Sequence, residues 1–159
     1  MLTAYMLVPD VPGESVRADH EDEIDVHSID WNVSQGAAAQ VGRGRSMSRA
    51  QVGPFNIMKF YDASSPYLAL ACMQAKSFEE IVISVRKDSG EAHLDYLTIT
   101  LKHVVISSYD MLPTSENSLV IEERVGLTAE ECVIKYTVQA DDHSAGDEHE
   151  IEYDISAGA

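Results

Sequence analysis

Residues 97–102 read Leu-Thr-Ile-Thr-Leu-Lys, apolar and polar side chains in strict alternation, and this period of two returns along most of the chain. Such a period sends successive side chains to opposite faces, so the segment is stable as a strand with one face buried and one wet. Ile81, Ile83 and Val85 alternate with Val82, Ser84 and Arg86 in the same way, and Asp88-Ser89-Gly90 supplies a turn between the two runs. A chain built this way must close or stack its sheet to hide the apolar faces.

The remaining segments extend that pattern. Thr3 to Val8 reads as a buried strand, ended by the turn-rich Pro9-Asp10-Val11-Pro12-Gly13. Glu14 to Glu23 is polar and reads as a loop or an approach to the next strand. Ile24 and Val26 then keep one phase and Ile29 and Trp31 the other, which predicts a bulge near His27-Ser28. Phe55 to Tyr61 is a strand, Val104 to Ser107 continues the 97–102 run or begins its neighbour, Ser108 to Asn117 is looser, and Ser118 to Ile121 reads as a short strand. The last hairpin sets Cys132, Ile134, Tyr136 and Val138 on one face, with Asp141 to Glu148 as its loop. Ile151, Tyr153 and Ile155 answer on the return strand, whose other face carries Glu150, Glu152 and Asp154. Eight or nine strands imply a mainly β fold, a sandwich or a small antiparallel barrel, in one domain over residues 1–159.

One helix interrupts the strands, at about residues 62–75. Ser65 is its candidate cap, Pro66 follows where a missing donor costs nothing, and Asp62 lies near the positive end of the helix dipole. Leu68, Ala71, Cys72 and Ala75 form one apolar stripe; Tyr67, Leu70 and Met73 form a second where a surface helix is polar. One face is expected to cover the sheet and the other to meet a different protein molecule.

Asn32 to Pro54 has no apolar period and reads as a long excursion carrying Arg43, Arg45 and Arg49, three of only eleven cations in the chain. A solvated loop is one reading. A basic arm that docks on the acidic surface of another copy is the sharper one, because 27 acids leave a net charge of −16. Phosphate binding through Gly42-Arg43-Gly44-Arg45 lacks the strand-to-helix frame of a nucleotide loop. The acidic balance argues against nucleic acid or an anionic membrane as the main partner. No segment has the roughly 20 apolar residues of a membrane span, and Met1 to Val8 lacks the basic flank and length of a signal sequence, which predicts a cytosolic chain or one exported in folded form. Cys72 and Cys132 are expected as free, buried thiols.

No group of residues predicts catalysis, a cofactor or a metal site. His143 and His149 with Asp141, Asp142, Asp147 and Glu148 lack zinc spacing and any calcium-loop pattern, so loop solvation is the expected state, and likewise for His20 with Glu21 and Glu23. Cys72 on a helix face reads as packing rather than as a nucleophile.

Val11-Pro-Gly-Glu-Ser15, then His20 to Glu23 leading into Ile24-Asp-Val-His-Ser-Ile-Asp-Trp31, resembles the opening of the Hcp family, the haemolysin-coregulated proteins of type VI secretion. Lys59-Phe-Tyr-Asp-Ala-Ser-Ser-Pro66 into Leu68 and Ala71-Cys72, Ile83-Ser-Val-Arg-Lys87, Tyr96 to Leu101 with Val105 to Ser108, Glu116 to Leu119, and Tyr136 with Gln139 to Asp142 follow in the family's order. The resemblance implies a tail-tube-like barrel flanked by one helix, in hexameric rings stacked as the inner tube of a contractile secretion apparatus. It further implies a VgrG-type spike, baseplate and sheath as partners, effector proteins carried in the ring, and secretion without a signal peptide from a cytoplasmic pool. Two departures stand out. Ala75 occupies the place of a glycine that commonly closes the helix, which predicts a helix running on towards Lys76 or ending less sharply, and Glu122-Glu123-Arg124 is charged where an apolar pattern is expected.

The candidate interface residues are therefore Arg43, Arg45 and Arg49 on the arm, Tyr67, Leu70 and Met73 on the helix, and Glu150, Glu152 and Asp154 on the last strand. A monomeric barrel binding a small ligand is the alternative, with a hydrolase a remoter one.

Overall fold

A computed structural model describes residues 2–35, 50–89, 92–142 and 144–158. In chain order they form β1 (Thr3–Leu7), β2 (Ile24–Val26), β3 (Ser28–Asp30), β4 (Val33–Ser34), β5 (Gln51–Val52), β6 (Phe55–Phe60), α1 (Ser65–Met73), β7 (Ser77–Ser89), β8 (Ala92–Met111), β9 (Glu122–Gln139) and β10 (Ala145–Asp154). The main sheet runs β2-β1-β7-β8-β9-β6-β3, all antiparallel, with β10 added on β9. Its two ends are halves of one stretch. β2 pairs with β1 and β3 with β6, while His27 between them donates its N–H to Met58 O at 2.9 Å. The phase change at His27-Ser28 is thus the point where the chain changes partners and the sheet closes on itself.

The alternation seen in the sequence fills the interior. Ile81, Ile83 and Val85 of β7 face inward with Ile99 and Leu101 of β8, and Met6, Ile24, Ile57, Val125 and Leu127 join them in one buried cluster. Gly13 belongs to the loop between β1 and β2, which folds back on itself. A Cβ there would lie 2.2 Å from Glu23 O, so only glycine lets residues 13–15 bond back to 22 and 23.

Several boundaries differ from the sequence reading. β8 runs on to Met111 instead of loosening at Ser108, because its far half pairs with β9 from Val125 to Glu123. Residues 118–121 form no strand; Leu119 is fully exposed and β9 begins at Glu122. The expected 88–90 turn does not begin at Asp88, since β7 continues through Ser89, which pairs with Ala92. The long excursion starts and ends as the β4–β5 ribbon, tied down by a Trp31 Nε1–H bond to Gly53 O at 3.2 Å and by Trp31 stacking on Phe55.

The helix is shorter than residues 62–75. Ser64, not Ser65, holds the cap position and its side chain makes no capping bond, while Ser65 is the first helical residue, with Pro66 next. Leu68 and Ala71 are buried against the sheet beside β8. At the other end Lys76 N–H bonds Ala71 O at 3.0 Å and Ala75 N–H bonds Cys72 O at 3.3 Å, the paired pattern of a Schellman stop, with Ala75 in the left-handed region at φ 51°. The helix therefore ends sharply with alanine in a conformation that suits glycine. Left-handed φ costs an L-residue about 1 kcal/mol or more. Ala75→Gly is expected to raise stability by roughly 0.5–1 kcal/mol, or about 1–4 °C in Tm; an unchanged or lowered melting temperature contradicts it.

Candidate assembly surfaces

Tyr67, Leu70 and Met73 stand on the outer face of α1 at 54%, 48% and 80% exposure, so three large apolar groups line one side of a nine-residue helix. The helix is apolar on both sides because one side is core and the other is open surface. Its seat on the barrel is polar and rigid. Lys59 and Glu123, cross-strand partners on β6 and β9, both have buried side chains and meet at 2.6 Å. Lys59 Nζ also reaches Asp62 Oδ1 at 3.0 Å and donates to Ser65 Oγ at 2.9 Å and to Phe60 O at 3.0 Å. Ser65 Oγ donates to Glu123 Oε1 at 2.6 Å and accepts the Asp62 N–H, while Asp62 Oδ1 accepts both N–H and Oγ–H of Ser64. The run Glu122-Glu123-Arg124 is charged for a physical reason: Glu123 points in to Lys59, Glu122 approaches His27 at 3.1 Å, and Arg124 pairs with Asp30 at 3.0 Å.

β10 makes a different surface. Glu150 and Glu152 are exposed, Asp154 is half-buried and accepts from Ser156 Oγ and Ala157 N–H, and among the described residues the strand pairs only with β9, which leaves its other edge open there. Acidic side chains along such an edge oppose uncontrolled strand pairing. Tyr136 and Val138, set by the alternation on one face with Cys132 and Ile134, are exposed, as is Ile151, because this hairpin lies beyond Leu127, where the β6 pairing with β9 ends. Ile151 and Tyr153 with Trp31, Val33, Ala50 and Val52 line an apolar cleft of about 250 Å³, so the β4–β5 ribbon lies beside β10. Arg43, Arg45 and Arg49 lie outside the described residues. The helix and β10 do not share a site. Glu123 under the helix and Glu131, where the β10 pairing begins, are about 26 Å apart along β9 at roughly 3.3 Å per residue.

His20 departs from the expected solvated state. It is 6% exposed, stacks on Tyr5 with centroids 4.5 Å apart, and its Nδ1 and Nε2 lie 2.9 Å from Glu23 and 2.8 Å from Asp95; Glu21 stays exposed. Only its partner Glu23, three residues on, was visible in the sequence. Asp25 on β2 is pushed up from the usual carboxylate range by burial and by the nearby Asp62 and Glu14, with Arg17 pulling the other way. Cys132 is buried, which raises its thiol pKa, whereas Cys72 is only half-buried; neither forms a disulfide. His149 is exposed on β10, and His143 lies outside the described residues. Among the described residues no three His, Cys, Asp or Glu side chains are placed to hold a metal, and no helix is long and apolar enough to cross a membrane.

The family model described as "Type VI secretion system effector, Hcp" matches residues 5–137. The chain belongs to the Hcp family. It is 31% identical to protein hcp1 of Pseudomonas aeruginosa over 104 residues, which are 65% of this chain and 64% of that protein, a little under two thirds of the relative's length. The fold agrees over the whole chain. A solved type six secretion system protein superposes with a TM-score of 0.91 at 20% identity, covering 100% of this chain and 99% of its own. Hcp1 from Salmonella typhimurium gives 0.80 at 23% identity, covering 98% and 96%. A type VI secretion system effector from Yersinia pestis gives 0.75 at 24%, covering 96% and 99%. The mainly β barrel with one flanking helix is thus the architecture of solved Hcp structures.

Proposed function

We propose that this Hcp chain acts as a single unit over residues 1–159, a ring-forming subunit of the inner tube of a type VI secretion apparatus. The family match over residues 5–137 carries this reading. The exposed apolar face of α1 supports it, since three unpartnered large side chains on a short, firmly seated helix suit a protein contact. Subunits join head to tail into a hexamer, each offering one surface to a different surface of its neighbour, and rings stack. A VgrG-type spike, the baseplate and the sheath are its partners, and effector proteins ride in the lumen. The protein is cytoplasmic before firing and reaches the medium or a target cell with the tube.

Size-exclusion chromatography with light scattering, followed by negative-stain imaging, tests this directly. Rings at six times the 17.5 kDa protomer mass are expected. A clean monomer at high concentration overturns the proposal in favour of a ligand-binding barrel. The arm has its own test. Reversing the charge of Arg43, Arg45 and Arg49 is expected to leave the protomer folded and to weaken ring stacking, as added salt does; tubes of unchanged length under both conditions would show that the arm does not act through charge.

A further inference from the structure

The cleft at the other end of the barrel, about 500 Å³, is lined by Leu2, Thr3, Arg86, Lys87, Tyr96, Tyr136, Thr137 and Gln139. Two of the chain's eleven cations line it, and among the described residues no acidic one does, although Asp95 pairs with Arg86 from beside it. A bulge explains how. Val85 pairs with Leu97 but Arg86 with Asp95, so Tyr96 is the extra residue, and the local kink turns the neighbouring side chains towards one opening. Tyr96 then meets Tyr136 of β9 edge-on, with centroids 6.3 Å apart.

Arg86 is held in advance. Its side chain is 5% exposed, Nε donates to Asp95 Oδ1 at 3.0 Å, Nη1 donates to Ala18 O at 3.3 Å, and the guanidinium lies over the Tyr5 ring. The remaining nitrogen, Nη2, meets the carboxylate of the exposed Asp19 only at 3.9 Å, beyond hydrogen-bond reach. Lys87 is exposed and makes no ion pair among the described residues. A fixed guanidinium, an ammonium with no ion pair among the described residues, the buried Thr137 and an edge-to-face tyrosine pair suit an anion on an apolar stem.

We propose that this cleft binds a carboxylate-bearing peptide segment of a partner protein, its acid between Arg86 and Lys87 and its apolar neighbour against Tyr96 and Tyr136. The inference does not depend on ring formation. Calorimetric titration of the intact protein with acetyl-Ala-Glu-Leu-Asp-Ala-amide is expected to show binding on the order of 0.1–1 mM. The Gln/Asn version of the peptide and the variant Lys87→Glu are each expected to bind about tenfold or more weakly. A photo-leucine copy of the peptide is expected to label the 92–97 or 136–139 segments. Binding of the two peptides with equal affinity, an unchanged affinity in a folded Lys87→Glu protein, or labelling elsewhere overturns the proposal. Full competition by 10 mM inorganic phosphate does so as well, since it would mark a generic anion site.

Discussion

Glu123→Ala is expected to cost about 3–5 kcal/mol, the largest single-residue loss predicted for this fold. The substitution leaves the Lys59 ammonium, wholly buried, without its carboxylate 2.6 Å away. Asp62 Oδ1, Ser65 Oγ and Phe60 O remain beside Lys59 Nζ, so among the described residues Asp62 is the one carboxylate left in ion-pair range to offset it. For a chain of this size the loss corresponds to roughly 10 °C or more in Tm, to be measured by thermal circular dichroism at fixed protomer concentration. Lys59→Met alone should behave similarly, because an unpaired buried carboxylate is no better. The double replacement Lys59→Met with Glu123→Leu separates the two explanations of that loss. If the cost comes from orphaning a charge, the pair of apolar groups recovers most of the stability. Ser65 still accepts the Asp62 N–H in that variant, so the helix entry keeps one bond. A double variant as unstable as either single one would show that the ion pair itself holds β6, β9 and α1 together.

That network also marks what a sequence can and cannot display. Alternation displayed the barrel: Ile81, Ile83, Val85, Ile99 and Leu101 lie inside, as a period of two requires. The family pattern made Glu122-Glu123-Arg124 a departure, because an expected apolar pattern does not tell which acid faces an inward lysine. Lys59 and Glu123 are 64 residues apart, and only the β6–β9 register brings them opposite each other. His20 was hidden for the same reason, since Asp95 and Tyr5 reach it from β8 and β1. Tyr136 and Val138 obey the alternation yet are exposed, because periodicity assigns a face and says nothing of where the barrel beneath that face ends. The second apolar stripe of the helix was legible, with its consequence: Tyr67, Leu70 and Met73 are on the surface. The charge balance pointed to a basic arm at Arg43, Arg45 and Arg49, and those residues lie outside the described ones.

Replacing Tyr67 and Met73 together with Glu is expected to weaken assembly by about two orders of magnitude or more while leaving the barrel folded. The folding half follows from position. Both side chains project from the outer face of α1, and surface changes away from special features stay within about 0.5 kcal/mol. Glutamate suits a helix, and the two charges offset each other against the dipole: one at 67 lies in the favourable first turn, one at 73 in the unfavourable last turn. The assembly half follows from desolvation. An apolar contact that must enclose two carboxylates without cations loses several kcal/mol, and each 1.4 kcal/mol is tenfold in association. Light scattering and imaging at equal concentration read the ring population, and co-sedimentation with sheath reads the outer contact. Loss of rings places the helix face between subunits; intact rings with lost sheath binding place it on the outside of the tube. Wild-type behaviour in both would leave Tyr67, Leu70 and Met73 as ordinary surface. Because Lys59, Glu123, Ser65 and Asp62 fix the helix from beneath, a change confined to its outer face can be read as a change in contact and not in the seating of the helix.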